Sequence, residues 1–443
     1  MTPTFVSLSN RNFRLFAAGQ LVSNTGTWMQ RVAQDWLVLS LTGGSGTALG
    51  ITTALQFLPL LLFSLWGGVI ADRLPKRRVL LVTQTVMGVQ ALVLGLLVLT
   101  GVVRVGDVYA LAALLGVAAA LDTPVRQSFV PEMVGSRQLP NAVALGSATF
   151  NLGRVFGPAA AGLLIAAVGT GLVFVLNEAS YLAVVASLLL MRTSELRPAP
   201  PKPRAPGQVR EGLRYVLHRR DLLLVVLVVG IVGTFGFNFQ ITTALMSTHV
   251  FHVGPGAFGL LTTAFAVGSL AGALLSARRA GGSGRRPGLR FVIGLALAFA
   301  VFESVIALAP TYLWFLVLLV PTGLFAISFA TSANPYVQLG TEPGVRGRVM
   351  ALYVLVFFGG TPAGALLVGW LGQVAGPRWA LGLGGLLTLV GTLVAVAWLR
   401  PRDRAVPAST VAGAQPEPLT GSTGDHDEHD AAGAGPVPGA ARR

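Results

Sequence analysis

Apolar runs long enough to cross a bilayer follow one another along most of this chain, and the basic residues between them fall almost entirely on alternate sides. An α-helix rises about 1.5 Å per residue, so roughly 20 apolar residues cross a hydrocarbon core of about 30 Å. Twelve such runs are legible, at 13–39, 47–71, 79–100, 107–127, 141–166, 168–191, 222–247, 254–277, 289–309, 311–333, 347–371 and 376–399. Backbone amides in lipid must be bonded within their own segment, so each run is expected to be a helix. The expected fold class is an all-α polytopic membrane protein. Hydrophobic residues make up 53% of the 443 and charged residues only 11%, where a soluble domain carries about a quarter charged.

The net charge is +15. In a soluble chain that would suggest nucleic acid. Here the charge lies in short loops between apolar runs, so the expected partner is the lipid bilayer and not nucleic acid. There is no cysteine, which removes disulfides, thiolate ligands and cysteine nucleophiles. No Gly-x-x-x-x-Gly-Lys-Ser/Thr loop, no serine–histidine–acid arrangement and no metal-spaced cluster is present, so no enzyme activity, cofactor or metal is expected. The run from Asp425 to Asp430, with His426 and His429, reads as low-complexity sequence with nothing to fix a metal's geometry. The first apolar run is too long for a signal peptide and reads as a retained helix.

Arg73, Lys76, Arg77 and Arg78 follow the second run, Arg137 the fourth, Arg278 and Arg279 the eighth, and Arg346 and Arg348 the tenth; eight more basic residues lie between the sixth and seventh. With twelve alternating helices all of these fall on one side, and the other side offers only Arg104 and Arg378. The positive-inside rule then puts both termini in the cytoplasm of a multi-pass plasma-membrane protein. Segment 192–221 is Pro-rich and then amphipathic from Val209 to Leu217, as expected of a cytoplasmic linker with an interfacial helix. Residues 403–443 show no apolar period and are expected to be a disordered cytoplasmic tail. The linker separates an amino-terminal half, 1–191, from a carboxy-terminal half, 222–402.

The halves echo each other. Ser64-Leu65-Trp66-Gly67 ends the second run and Ser269-Leu270-Ala271-Gly272 lies in the eighth, each leading into a basic loop. A Pro-Gly-rich helix stands fifth in each half, with Gly153, Gly157 and Pro158 in one and Gly359, Gly360 and Pro362 in the other. Two pseudo-symmetric six-helix halves make an alternating-access transporter with a central cavity between them.

The loop from Gly67 and Gly68 through Asp72, Arg73, Leu74, Pro75, Lys76, Arg77 and Arg78 resembles the signature loop of the major facilitator superfamily. The matching position in the second half is Ala277, so the gate charges are expected to be asymmetric. Asn12-Phe13-Arg14-Leu15-Phe16, Gly26-Thr27-Trp28-Met29-Gln30, the stretch Asp122 to Glu132 and Arg346-Gly347-Arg348-Val349-Met350 look like the enterobactin-exporter and macrolide-efflux branch. The resemblance covers residues 10 to about 400. It implies secondary active, proton-driven export of small amphipathic organic molecules such as a drug, siderophore or secondary metabolite, by a protein functional as a monomer. An uptake permease or facilitator of the same fold is the alternative, ahead of a receptor or scaffold. The resemblance also implies an inner-gate network of Gly68, Asp72, Arg73, Asp122 and Arg126.

A charge at the centre of a membrane helix costs about 2.5–3.5 kcal/mol on insertion scales, so it should pair, face a cavity or act. Arg31 and Asp35 stand four apart on one helical face. They read either as an ion pair within the helix or as a protonation switch lining the cavity. Glu178 and Glu303 are the other membrane carboxylates, each a proton-coupling candidate or a residue at a solvated edge. Arg154 fits an anionic substrate or the gate network equally. Gln56, Asn151, Asn238 and Gln240 supply amides, and Trp28, Phe235, Phe237 and Phe239 aromatic surface, for a cavity suited to an amphipathic organic molecule and a proton.

Overall fold

The computed structural model describes residues 3–197, 208–281, 287–342 and 345–399, and the side chains of 64–72 are outside that description. The expected disordered tail, the Pro-rich stretch of the linker, and the surroundings of Gly68 and the Asp72 side chain therefore lie outside what is described. The helices before the linker are α1 (Arg11–Leu41), α2 (Gly46–Arg73), α3 (Lys76–Leu99), α4 (Val105–Val168) and α5 (Thr170–Leu189). After it come α6 (Gln208–His218), α7 (Arg220–Ile231), α8 (Phe239–Leu245), α9 (Pro255–Gly281), α10 (Leu289–Ile306), α11 (Tyr312–Leu339), α12 (Arg346–Val374) and α13 (Pro377–Trp398).

Among the described residues, 11 spans are long and apolar enough to cross a membrane; two are the arms of α4 and one runs from Arg220 to Val250 through α7 and α8. Helix α1 has 31 residues, ample length, but carries Arg14, Gln20, Gln30, Arg31, Gln34 and Asp35.

Two elements differ from the sequence reading. The connector expected between residues 127 and 141 is helical, and α4 turns only at Gly135, whose φ of +69° a residue with a Cβ would adopt with strain. The seventh apolar run is not one regular helix. It contains π-helical turns at Val232–Gly236 and Met246–Val250, with an interruption at Phe237 and Asn238. The first turn backs onto its neighbours through glycine: a Cβ on Gly236 would meet the Phe299 ring, and one on Gly233 the Phe357 carbonyl oxygen.

Polarity is arranged for an apolar solvent. Leu163, Leu182, Leu308 and Trp398 are largely exposed, whereas Gln30, Gln90 and Asn177 are buried. Gln30 donates to Gln90 at 3.1 Å and accepts from Asn177, tying α1 to α3 and α5. Lipid tails are as apolar as leucine, so such bonds and close backbone contacts hold the helices together.

The helices on either side of the linker pack among themselves and meet along two seams. In one, Gly46 and Gly50 of α2 lie against the Gly369 and Ala365 carbonyl oxygens of α12, and the Gln373 side chain accepts from the Gly46 amide at 2.8 Å. In the other, Gly162 of α4 lies against Gly259 of α9. The His249 ring covers Gly44 beside the first seam. These contacts all lie at one end of the bundle, called here the sealed end.

Small residues at such contacts leave no room for a methyl group. On Gly268 of α9 a Cβ would collide with the Val320 carbonyl of α11, whereas on Gly294 of α10 it would meet nothing. Gly268→Ala is expected to destabilise the protein by about 1–3 kcal/mol and Gly294→Ala to leave it unchanged. Thermal unfolding of the two purified variants in one detergent checks this; equal melting temperatures would contradict it.

Candidate functional site

A cavity of about 300 Å³ opens between the two groups of helices. Helix α1 presents Trp28 and Arg31 to it, α2 Phe57, α4 Arg154, and α9 Phe265. The break after the first π-helical turn brings in Phe237 and Asn238, and α8 adds Phe239 and Gln240. A continuous helix would present only every third or fourth residue to one side. The interruption lets five consecutive residues, Phe237 to Ile241, line the wall.

The cavity is aromatic and cationic. The Arg31 guanidinium lies 4.8 Å from the Trp28 ring centroid and 5.9 Å from that of Phe57. Arg154 lies 5.6 Å from the same indole and 5.7 Å from Phe265. Phe265 stacks on Phe239 at 4.9 Å. No aspartate or glutamate is among the lining residues. Asp35 is buried one turn from Arg31, and its carboxylate accepts from the Gln240 side chain at 2.6 Å, across the boundary between the two groups. Arg31 and Asp35 do not form an ion pair at contact distance; one Asp35 oxygen accepts from Gln240 instead. Asn238 donates to the Thr234 carbonyl at 2.7 Å, and its side-chain oxygen has no protein partner.

Three sequence candidates lie elsewhere. Gln56 is half-buried on α2 without lining the cavity, Asn151 bonds back to the Ser147 carbonyl of its own helix, and the Phe235 backbone lies against Gly384 of α13. Glu178 is half-buried near Gly88 of α3. Glu303 of α10 is buried between Gly236 and Gly384, with one carboxylate oxygen lacking any hydrogen-bond partner.

A second polar cluster lies toward the opposite end. Asp122 is fully buried; it pairs with Arg126 one turn later at 2.5 Å and accepts from Thr83 at 2.9 Å and Gln84 at 2.8 Å. Arg126 also donates to Gln20 of α1 at 2.8 Å. Lys76 and Glu132 form an ion pair below it, and Arg73 is exposed. Sequence reasoning missed Thr83, Gln84, Gln20 and Glu132 as members of this cluster. Glu132 had a legible signal, an acid following a helical proline opposite a basic loop. The others are neutral polar residues on two helices, α1 and α3, joined only by packing.

Residues 2–422 match the family described as transmembrane secretion effector. The chain belongs to that family. Over 386 residues it is 25% identical to the staphyloferrin A transporter of Staphylococcus aureus, covering 86% of this chain and 94% of that one. Over 372 residues it is 29% identical to the multidrug efflux pump Tap of Mycolicibacterium fortuitum, covering 82% and 89%. The enterobactin exporter EntS of Citrobacter koseri is 26% identical over 355 residues, covering 79% and 82%. In fold the chain is similar to a crystal structure of a bacterial homologue of the human lysosomal transporter Spinster, with a TM-score of 0.69 over 90% of this chain and 97% of that one, at 14% identity.

This secretion-effector family member is therefore a transport protein of the major facilitator fold and not an enzyme. It is a multi-pass membrane protein that moves small molecules by secondary active transport and alternating access. In such a transporter the Asp122 cluster ties α1, α3 and α4 into one body. Removing one member of a buried pair strands the other charge, at a cost of about 3–5 kcal/mol. Asp122→Asn is expected to lower the melting temperature sharply, and Asp122→Asn with Arg126→Gln to recover part of the loss. Thermal unfolding of single and double variants measures this, and additive losses would contradict it.

Proposed function

We propose that this protein exports small amphipathic organic molecules from the cytoplasm, driven by inward proton movement, with Asp35 as the coupling carboxylate. The observation that carries the reading is the Asp35–Gln240 hydrogen bond. Its two ends belong to groups of helices that must separate if the sealed end is to open. A charged carboxylate accepts this bond strongly; a protonated one accepts it weakly and need not remain. Proton arrival from the sealed side and opening of that side would thus be linked through one contact. An inward proton supplies about 2.3 kcal/mol per 100 mV. Glu178 and Glu303 make no such bond between the two groups of helices and stand behind Asp35. Efflux and export in the names of two relatives support the outward direction.

The same reading counts α1 with the 11 apolar spans, giving twelve membrane helices in halves of six, 1–191 and 222–402, joined by the 192–221 linker and followed by the 403–443 tail. Both termini are cytoplasmic in the plasma membrane, so the sealed end is extracellular and the conformation inward-facing. Gly68, Asp72, Arg73, Asp122 and Arg126 form the inner gate, and a monomer suffices.

The chain has no native cysteine, and Ser194 and Thr100 are exposed. On this orientation an impermeant maleimide added to intact cells labels Thr100→Cys and not Ser194→Cys; the reverse pattern would invert the topology. For coupling, Asp35→Asn should abolish accumulation against a substrate gradient in proteoliposomes with an imposed proton gradient, while sparing downhill exchange. Full gradient-driven transport by that variant would move the coupling to another residue.

A further inference from the structure

Arginine is charged at every physiological pH, and a buried charge is expensive unless an opposite charge meets it. Arg31 and Arg154 both face the cavity, and both lie against Trp28. Among the described residues neither has a hydrogen bond or an ion pair; their contacts are aromatic faces. The nearest carboxylate, Asp35, is engaged by Gln240. Two guanidiniums beside one indole also repel each other, an arrangement that an anion between them would reverse. Every other charged candidate in the chain that could neutralise them lies outside the cavity lining.

From this geometry we infer that the cavity is a clamp for an organic anion with a planar aromatic or otherwise flat apolar body, whose carboxylate or similar oxyanion bridges Arg31 and Arg154. The guanidinium fork matches a carboxylate's two oxygens. The flat body has an aromatic wall to lie against, lined by Phe57, Phe239, Phe265 and Phe357. This inference rests on the reading of the cavity as the transport site. It does not depend on direction or on proton coupling.

The test is equilibrium dialysis of the purified full-length protein in detergent with radiolabelled 2-naphthoate and its neutral isostere 2-naphthamide. The carboxylate should bind at least about tenfold more tightly than the amide, as charge-assisted hydrogen bonds outweigh neutral ones. Arg31→Gln and Arg154→Gln should each weaken naphthoate binding about tenfold while leaving naphthamide within about twofold. Arg31→Lys, which keeps the charge and loses the fork, should fall between. The wild-type comparison needs no variant to fold, and naphthamide binding reports whether each variant keeps its cavity. Equal affinity for the two probes, absence of naphthoate binding at millimolar concentration, or variants that retain the preference would each overturn the clamp. Loss of coupling in Asp35→Asn with intact naphthoate selectivity would uphold it, whereas proton-driven transport without anion selectivity would leave the export reading standing and remove the clamp.

Discussion

Lipid offers no hydrogen bonds, and that absence governs the whole structure. Each helix satisfies its own backbone, and helices gain little by burying leucine against leucine when the solvent is hydrocarbon. Association must come from backbone approach and polar bonds. Both are visible here. Gly46, Gly50, Gly162, Gly259 and Gly369 bring α2 against α12 and α4 against α9, while Gln30 joins α1, α3 and α5 through its two amide neighbours. The glycine seams lie at the sealed end, where close backbone contact and the Gly46–Gln373 hydrogen bond join the two groups of helices.

The second consequence concerns irregular backbone. Within a membrane it is tolerated only where protein or a cavity covers it. The break at Phe237 and Asn238 obeys that rule. On one side its π-helical turn is covered by α10, α12 and α13; on the other its freed residues form the cavity wall. The same departure from helix geometry that places Phe239 on Phe265 also places Gln240 within reach of Asp35. Cavity shape and the contact between the two groups of helices thus have one structural origin.

Charge is separated with similar economy. Three of the acidic groups that enter the protein are occupied, Asp122 by Arg126, Thr83 and Gln84, Glu132 by Lys76, and Asp35 by Gln240, whereas Glu303 is buried with an unpartnered carboxylate oxygen. Arg31 and Arg154 form no ion pair at contact distance, and their guanidiniums lie against ring faces. The positive character of the cavity is produced as much by where the carboxylates have been directed as by where the arginines stand.

Membrane crossing, helical fold class and the absence of enzyme chemistry were all legible in the sequence, because they depend on the length and spacing of apolar runs and on residue types that are present or missing. Periodicity also put Arg31 and Asp35 on one face, and Asp122 and Arg126 on another. The sequence could not say which of these pairs closes. Asp122 and Arg126 meet with Thr83, Gln84 and Gln20 arriving from two other helices to hold them; Arg31 and Asp35 do not, and an Asp35 oxygen accepts instead from Gln240, 205 positions away. Nor could it distinguish Phe235, which does not line the cavity, from Phe237 and Phe239, which do, since that choice goes with a π-helical turn packed against Phe299 and Phe357. Apolar length is a property of one segment and can be read locally. The partner of a buried polar group is decided by which helices pack together, and only the tertiary structure contains that.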